Sequence, residues 1–367
     1  MKEKKYTCDI CHEEHDLSEL TYFDESYLCE ACLRRETFIC RDCGDRHWND
    51  DSADGDLCQT CYDEDYVRCE RCDAVIHYDD ACYHEDEEYH DHPYCRDCFD
   101  MDEIIHDYYY KPEPIFYGDG PRYLGVELEL DDGGENEFCA SKLLDIANAQ
   151  KEHMYIKHDG SLDDGFECVT HPMTLDYHIN QMPWRAILNK AVAKGYLSHQ
   201  AGTCGLHVHI SRNALGANYE EQEATIAKIL YFYEKFWNEI LTFSRRTESQ
   251  AEHWARRYGG GIINPKETLK HAKNSHMGRY AAVNLENEAT IEMRIFRGTL
   301  KYNTFIATLQ MVDEICKVAI SLSDEFMQGL TWLDFVKGIA DGKQELINYL
   351  KEKRLYVNEP IRNEVEI

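Results

Sequence analysis

Three segments after residue 121 alternate apolar and polar residues with a period of two, which is typical of a β-strand with one buried face. They are residues 125–130 (GVELEL), 205–210 (GLHVHI) and 291–295 (IEMRI). The polar face of each segment carries carboxylates, imidazoles or a guanidinium. A fourth segment, residues 165–172, follows a turn at 158–162 and contributes Glu167. The pattern predicts a sheet that packs on one face and carries a chemical site on the other.

Helical periodicity appears between and after these strands. It predicts helices at about 182–194 and about 219–244, and a helical tail over about 304–355. The second helix carries a stripe of large apolar residues, which we assign to the core rather than to a binding site because helical spacing against a sheet favours packing. The stripe consists of Ile229, Leu230, Phe232, Phe236, Trp237, Ile240 and Leu241.

The composition indicates two or three folding units and disfavours nucleic acid as a direct partner. The 367 residues carry a net charge of −31, and the longest basic runs are pairs such as Lys4-Lys5 and Arg245-Arg246. A phosphate backbone would require larger basic patches. Neither a secretory signal nor a run of about 18 apolar residues is present. We therefore expect a cytoplasmic protein that makes no membrane contact.

Six Cys-x-x-Cys knuckles follow one another in the first hundred residues. The knuckles fall into three couples. Within the first, second and third couple, seventeen, fourteen and twenty-two residues separate the two knuckles, whereas seven residues separate one couple from the next. Four thiolates suit a closed, tetrahedral zinc site, so the spacing predicts three sequential modules, at about 6–34, 38–63 and 67–100. The predicted zinc ligands are Cys8, Cys11, Cys29, Cys32, Cys40, Cys43, Cys58, Cys61, Cys69, Cys72, Cys95 and Cys98.

Acidic residues crowd the same segment. Residues 1–100 contain 30 Asp and Glu against 10 Lys and Arg, which gives a net charge of −20. Modules of this size bury too little surface to fold alone, so zinc should supply much of their stability. The charge makes a cationic protein partner plausible.

The chain after the knuckles divides into three predicted parts. Residues 101–121 form a linker rich in proline and glycine, residues 122–322 a catalytic domain and residues 323–367 a helical extension. If the alternating strands share one sheet, Glu127, Glu129, Glu167 and Glu292 converge with a histidine. Such carboxylates repel one another unless cations neutralise them. Hard divalent ions, Mg²⁺ or Mn²⁺, fit this set of ligands.

Five motifs in this order resemble the amidoligase family related to glutamine synthetase and glutamate–cysteine ligase. They are GVELEL, HDGSL, GFECVTHP, GLHVHIS and TIEMRIFRGTL, and they span roughly residues 122–300. The resemblance implies an α+β fold: a glutamine-synthetase-like curved antiparallel sheet with packed helices, here preceded by small zinc-stabilised modules. It also implies an ATP- and magnesium-dependent ligase that joins a carboxylate and an amine through an acyl phosphate. The family lacks a P-loop, and this sequence has none.

The resemblance also assigns roles to individual residues. Glu127, Glu129, Glu167, His207 and Glu292 would hold roughly two or three Mg²⁺ ions, with His209 lining the same site. Arg294 and Arg297 would contact the γ-phosphate of ATP or the substrate carboxylate. Asp159 and Ser161 would shape the substrate or nucleotide side, and Arg279 and Asn284 are further candidates for binding the nucleotide. Arg297 is out of phase with Arg294, so its inward direction requires a strand end or a bulge.

Other functions remain open at this point. A thiol hydrolase would use Cys204 or Cys168 as nucleophile with His207, His209 or His171 as base. An adaptor would bind a partner through its zinc modules while the ligase-like domain stays inert. A guanidino-type kinase would consume ATP without forming an amide. We favour the ligase, acting on a peptide or protein that the zinc modules recruit.

Overall fold

A computed structural model describes residues 5–83, 92–99, 103–259 and 264–356. Parts of the third predicted zinc module, the linker and the C-terminal extension therefore lie outside the described residues. The chain divides into two compact units, Met1–Asp102 and Glu103–Ile367.

The N-terminal unit consists of small hairpins followed by short helices. Within its described residues the strands are β1 (Tyr6–Thr7), β2 (Glu14–His15), β3 (Leu20–Phe23), β4 (Ser26–Cys29), β5 (Thr37–Ile39), β6 (Arg46–Trp48), β7 (Ser52–Asp54), β8 (Leu57–Cys58), β9 (Tyr66–Arg68) and β10 (Val75–His77). The helices are α1 (Glu30–Glu36), α2 (Gln59–Asp65) and α3 (Arg96–Phe99). Neighbouring strands pair in antiparallel two-stranded sheets, as in β1–β2 and β3–β4.

The apolar clusters of this unit are built largely from cysteines. Apart from the cysteines, the buried members of these clusters are Leu28, Leu33, Leu57 and Tyr94. So few buried side chains cannot offset the conformational entropy of about 25 residues per module. The cysteine clusters must therefore contribute more stability to this unit than apolar packing alone provides.

A seven-stranded sheet forms the centre of the described part of the second unit. Its strands are β11 (Ile105–His106), β12 (Leu124–Leu130), β13 (Met154–Lys157), β14 (Phe166–Thr170), β15 (Leu206–Ser211), β16 (Val283–Asn284) and β17 (Thr290–Met293). They lie in the order β11-β13-β14-β12-β15-β17-β16. The alternating segments of the sequence thus occupy four adjacent central strands, β14, β12, β15 and β17.

The described fold of this unit combines helices with a sheet, which agrees with the predicted α+β class. The prediction of an antiparallel sheet has one exception, at an edge, where β11 pairs in parallel with β13. This two-residue strand precedes the predicted start of the domain at residue 122. A strand of two residues is too short to produce a period in the sequence.

The apolar residues of the central strands enter one continuous core. Val126, Leu128, Val208 and Ile291 are each at most 1% exposed and belong to the same cluster as the helical residue Phe305. The polar side chains of these strands therefore lie on the opposite face of the sheet.

The described helices of this unit cover the core. They are α4 (Glu137–Ala147), α5 (Leu175–Asn180), α6 (Trp184–Ala193), α7 (Tyr219–Lys235), α8 (Trp237–Ser244), α9 (Glu248–Trp254), α10 (Pro265–Asn274), α11 (Tyr302–Ser321), α12 (Asp324–Gly329), α13 (Trp332–Lys337) and α14 (Gln344–Glu352). Among the described residues, no helix combines the length and apolar character that a bilayer span requires.

The predicted helix at about 219–244 is interrupted. Phe236 separates α7 from α8 with φ −109° and ψ 32°, and its ring packs against Phe232 and Trp332. Neither proline nor glycine marks the break, so tertiary packing sets it. The predicted helical tail is likewise divided, into α11, α12, α13 and α14.

Candidate active site

The strand register brings the predicted polar residues onto one face. Glu127 of β12 lies opposite His207 of β15, and Glu129 lies opposite Glu167 of β14. On the next strand, His209 of β15 lies opposite Glu292 of β17. Residues directly opposite in an antiparallel pair point to the same side of the sheet, so these six side chains share one surface.

His207 occupies the middle of the carboxylates. Its Nδ1 lies 3.4 Å from Glu127 Oε2 and 3.6 Å from Glu292 Oε1, and its Nε2 lies 3.6 Å from Glu129 Oε1. Glu127, His207 and Glu292 can each offer one ligand atom within 4.8 Å of the others. Two carboxylate oxygens and one imidazole nitrogen at this spacing suit a divalent cation.

The cluster is buried although it is highly charged. Glu129, Glu167, His207 and Glu292 are each 2–4% exposed. The side chain of Glu127 retains 20% exposure. The cluster is therefore reachable from one side, at the Glu127 position.

The carboxyl groups of the cluster differ in acidity. Burial raises the pKa of Glu129, and burial together with the nearby Glu127 raises the pKa of Glu167 well above its usual value. Although burial opposes ionisation, His209 and His207 hold the pKa of Glu127 well below its usual value. His209 Nε2 lies 3.0 Å from Glu127 Oε1. Despite burial, this carboxylate raises the pKa of His209.

Glu292 has two further partners at the other end of the face. Asn284 of β16 donates from Nδ2 to Glu292 Oε2 at 2.8 Å, and Arg294 donates from Nη1 to Glu292 Oε1 at 2.5 Å. The predicted candidates Asn284 and Arg294 thus lie at the carboxylate cluster.

A register shift places Arg297 on the same face as Arg294. Val208 pairs with Met293, so regular pairing would place Gly205 opposite Phe296. Gly205 instead bridges to Arg297. The segment therefore gains one residue between these points. This matches the bulge that the inward direction of Arg297 requires.

Gly205 also fixes the neighbouring side chains. Its N–H donates to Oε2 of Glu129, and a Cβ at this position would lie 2.4 Å from His207 Nε2. Any larger residue would displace the imidazole from the carboxylates.

Asp159 and Ser161 form a local turn, because Asp159 Oδ1 accepts from the backbone N–H of Ser161 at 2.8 Å and from its hydroxyl at 2.6 Å. Arg279 instead donates to the hydroxyl of Tyr108 at 2.6 Å and contacts Tyr280. The structure thus gives Arg279 tyrosine partners rather than a carboxylate of the cluster.

Sequence patterning missed Lys157. This residue ends β13 opposite Glu167, and its Nζ lies 3.1 Å from Glu167 Oε2. Lys157 and Arg294 thus each pair with one carboxylate of the cluster, Glu167 and Glu292 respectively. Residues 154–157 (MYIK) also alternate, so the same rule would have placed Lys157 on the polar face.

The two cysteines considered as nucleophiles are unsuited to that role. Cys204 and Cys168 are 0% and 1% exposed, and burial raises the pKa of Cys204 to about 12 and that of Cys168 above its usual value. A thiol needs a lowered pKa and access to substrate to act as a nucleophile. These facts argue against a thiol hydrolase.

The structure brings the twelve predicted zinc ligands together in three groups of four. The groups are Cys8, Cys11, Cys29 and Cys32; Cys40, Cys43, Cys58 and Cys61; and Cys69, Cys72, Cys95 and Cys98, each with sulfurs within 4.8 Å of one another. Within the described residues, no cysteine forms a disulfide.

Each group uses the same local structure. The first knuckle occupies a hairpin turn and the second leads into a short helix, so that Cys8 lies after β1 and Cys32 lies in α1. Backbone N–H groups point at the sulfur, and Cys29 N donates to Cys8 Sγ at 3.3 Å. Although burial opposes ionisation, such N–H groups lower the pKa of Cys8 and Cys40 to about 6. Four cysteine sulfurs in this arrangement fit a zinc ion held by four thiolates.

Comparison with known proteins agrees with the resemblance predicted from the motifs. Residues 145–316 match the model of a family described as "Putative amidoligase enzyme". Glu167, His207 and Glu292 lie inside the match, whereas β12 with Glu127 and Glu129 precedes it. This part of the chain is therefore similar to a family of amidoligases, and the similarity supports a carboxylate–amine ligase in general terms.

The remaining comparisons add little. No curated protein matches this chain. A bifunctional glutathione synthetase from Pasteurella multocida is similar at 14% sequence identity and a TM-score of 0.32. That likeness covers 65% of this chain and 45% of the other, so the chain spans less than half of that protein, and similarity this low defines neither fold nor function.

Proposed function

We propose that this protein is an ATP-dependent carboxylate–amine ligase that forms an amide through an acyl phosphate. The observation that carries the proposal is the juxtaposition of Glu127, Glu129, Glu167 and Glu292 around His207 on adjacent strands. Buried carboxylates clustered in this way are typical of sites that bind divalent cations and, through them, phosphates.

In this proposal Glu127, Glu129, Glu167, His207 and Glu292 hold Mg²⁺ or Mn²⁺. Such ions, when bound, neutralise the charge on the nucleotide phosphates and orient them. His209 lines the site, and Asn284 and Arg294 keep Glu292 in place. The chain's own contribution is to position the reactants and exclude water.

The reaction balances in two steps. A substrate carboxylate oxygen attacks the γ-phosphorus of ATP, the bond to the β–γ bridging oxygen breaks, and ADP leaves. The nitrogen of a neutral amine then attacks the acyl carbon, inorganic phosphate leaves with the bonding electrons, and the nitrogen gives up a proton. The carboxylate loses one oxygen to phosphate, so the product weighs one water less than the two substrates.

We further propose that the N-terminal unit holds structural zinc and recruits a peptide or protein substrate. The unit carries a net charge of −20 over residues 1–100 and exposes Tyr22, Tyr27, Ile39 and Tyr78. Acidic surface interleaved with exposed aromatic and aliphatic side chains suits a cationic polypeptide.

The test is ADP formation by the full-length, zinc-loaded protein with MgATP and mixed peptides that bear free carboxylates and amines. We expect ADP formation to need both groups and the product mass to equal the two substrates less one water. ADP formed without an amide would favour a kinase of the guanidino type. No ADP with any pair would favour an adaptor with an inert ligase-like domain.

A further inference from the structure

Arg246 is a buried arginine that no role described above uses. It is 6% exposed and follows the end of α8. Arg245, with φ +68°, ends that helix in the left-handed conformation. This turn directs the chain at Arg246 away from the helix axis.

Hydrogen bonds tie the end of α8 to the segment that follows β17. Arg246 Nε donates to the carbonyl of Ile295 at 3.1 Å, and the backbone N–H of Arg297 donates to the carbonyl of Ser244 at 3.1 Å. The guanidinium of Arg246 is thus anchored between the positions of Arg294 and Arg297.

The same segment connects to the carboxylate cluster. Arg297 bridges to Gly205, and the N–H of Gly205 donates to Glu129. Arg246 therefore lies at the Glu129 end of the polar face.

Three buried guanidinium nitrogens of this region have no hydrogen-bond partner within the described residues. They are Arg246 Nη1, Arg294 Nε and Arg297 Nε. Unpaired buried donors are rare because each costs free energy, and a bound acceptor would remove that cost.

The charges lead to the same conclusion. Glu292 pairs with Arg294, whereas neither Arg246 nor Arg297 forms an ion pair within the described residues. Burial, together with the nearby Arg294 and Arg297, lowers the pKa of Arg246 to about 10 against the opposing effect of Glu129. Arg246 and Arg297 thus bring two positive charges without an ion-pair partner to this end of the face.

We infer that Arg246, Arg294 and Arg297 form a binding site for a phosphoryl oxyanion. Such a group carries about two negative charges and several acceptor oxygens, which matches two unpaired cations and three free donors. The inference rests on the proposed function only where it takes ATP as the molecule that carries the phosphoryl group. Arg246 then holds the terminal phosphate at the Glu129 end of the carboxylate cluster.

Calorimetric titration of the full-length, zinc-loaded protein with pyrophosphate in the presence of Mg²⁺ tests the site without requiring ATP chemistry. We expect pyrophosphate to bind the wild type and to bind Arg246→Lys and Arg297→Lys roughly tenfold more weakly or worse, because a lysine cannot reproduce the guanidinium donors. Two variants guard against a folding defect in one of them, and melting without ligand checks both.

The matched control is Arg212→Lys. Arg212 is also a partly buried arginine, but its Nε and Nη2 donate to the carbonyls of Asn287 and Leu285. Pyrophosphate affinity should therefore not change in this variant.

Three results would overturn the inference: no pyrophosphate binding by the wild type, equal binding by all four proteins, or binding of malonate in place of pyrophosphate. A parallel titration with MgATP separates this inference from the proposed function. Arginine-dependent pyrophosphate binding without any MgATP binding would support the oxyanion site and contradict the ligase.

Discussion

Lys157 Nζ lies 3.1 Å from Oε2 of Glu167, across two neighbouring strands at one end of the carboxylate cluster. Despite burial, the Glu167 carboxylate raises the pKa of Lys157. The protein thus neutralises part of its own cluster. The divalent cation has to offset only the charge that remains.

Glu167 should make the magnesium-free protein pH-sensitive. Its folded-state pKa lies above its usual value, so the native state binds more protons than the unfolded state once the pH exceeds about 4.5. The free energy of unfolding should then fall as the pH rises from about 4.5 towards the folded-state pKa, by at most about 1.4 kcal/mol per pH unit for this group. The measurement is urea unfolding over that range with zinc held constant.

Glu167→Gln removes the charge and keeps an acceptor for Lys157. We expect this variant to lose part of the pH dependence and, near neutral pH, to be at least as stable as the wild type without magnesium. The same pH slope in both proteins would show that Glu167 is not the responsible group.

The alternating strands could be predicted from sequence because burial of one face imposes a period of two. Residues 125–130, 205–210 and 291–295 carry that period, and the structure places all three in the centre of one sheet. The phase of the pattern also places His207 among the carboxylates. A one-residue slip would send every side chain to the other face, so the register is strongly fixed.

Arg246 could not be found in this way. It follows a helix, and its position at the polar face depends on the left-handed Arg245 and on hydrogen bonds to a segment about 50 residues later. Local periodicity contains no information about such long-range contacts. The same reason explains the unpredicted helix break at Phe236, which coincides with packing on Trp332.

Gly205→Ala should weaken magnesium-dependent ligand binding without unfolding the protein. The new Cβ would lie 2.4 Å from His207 Nε2, so the imidazole must move away from Glu127 and Glu292. We expect affinity for MgATP to fall roughly tenfold or more, because displacing one metal-binding side chain by about an ångström costs that much. Titration calorimetry measures the affinity.

Gly125→Ala is the matched control on the adjacent strand. There the added Cβ would lie 3.5 Å from the Cβ of His209, an ordinary contact. Equal losses in both variants would contradict the specific role of Gly205.

Removal of zinc should unfold the N-terminal unit selectively. Its apolar clusters consist mostly of cysteines, so a strong chelator takes away the main source of stability, of order 10 kcal/mol per site. We expect elemental analysis to give three zinc ions per chain before treatment, one for each group of four cysteines. After treatment, limited proteolysis should cut within residues 5–83 and spare residues 124–259.

Cys40→Ser should lower the zinc content by about one ion per chain, because Cys40 belongs to one of the three groups. Cys204→Ser is the control, because Cys204 belongs to none of them and the zinc content should not change. Resistance of residues 5–83 to proteolysis after complete zinc loss would contradict a structural role for the metal.

The central claim is that the carboxylate face binds ATP with a divalent cation, and thermal unfolding tests it without knowledge of the substrate. The measurement compares the wild type with a Glu127→Gln, Glu129→Gln double variant, with and without ATP plus Mg²⁺, at constant zinc. At a hundredfold excess over the Kd, binding adds about 2.7 kcal/mol, and each kcal/mol raises the Tm by about 2–4 °C. A magnesium-dependent rise in the wild type alone is the predicted result; no rise in the wild type, or an equal rise in both proteins, would contradict it.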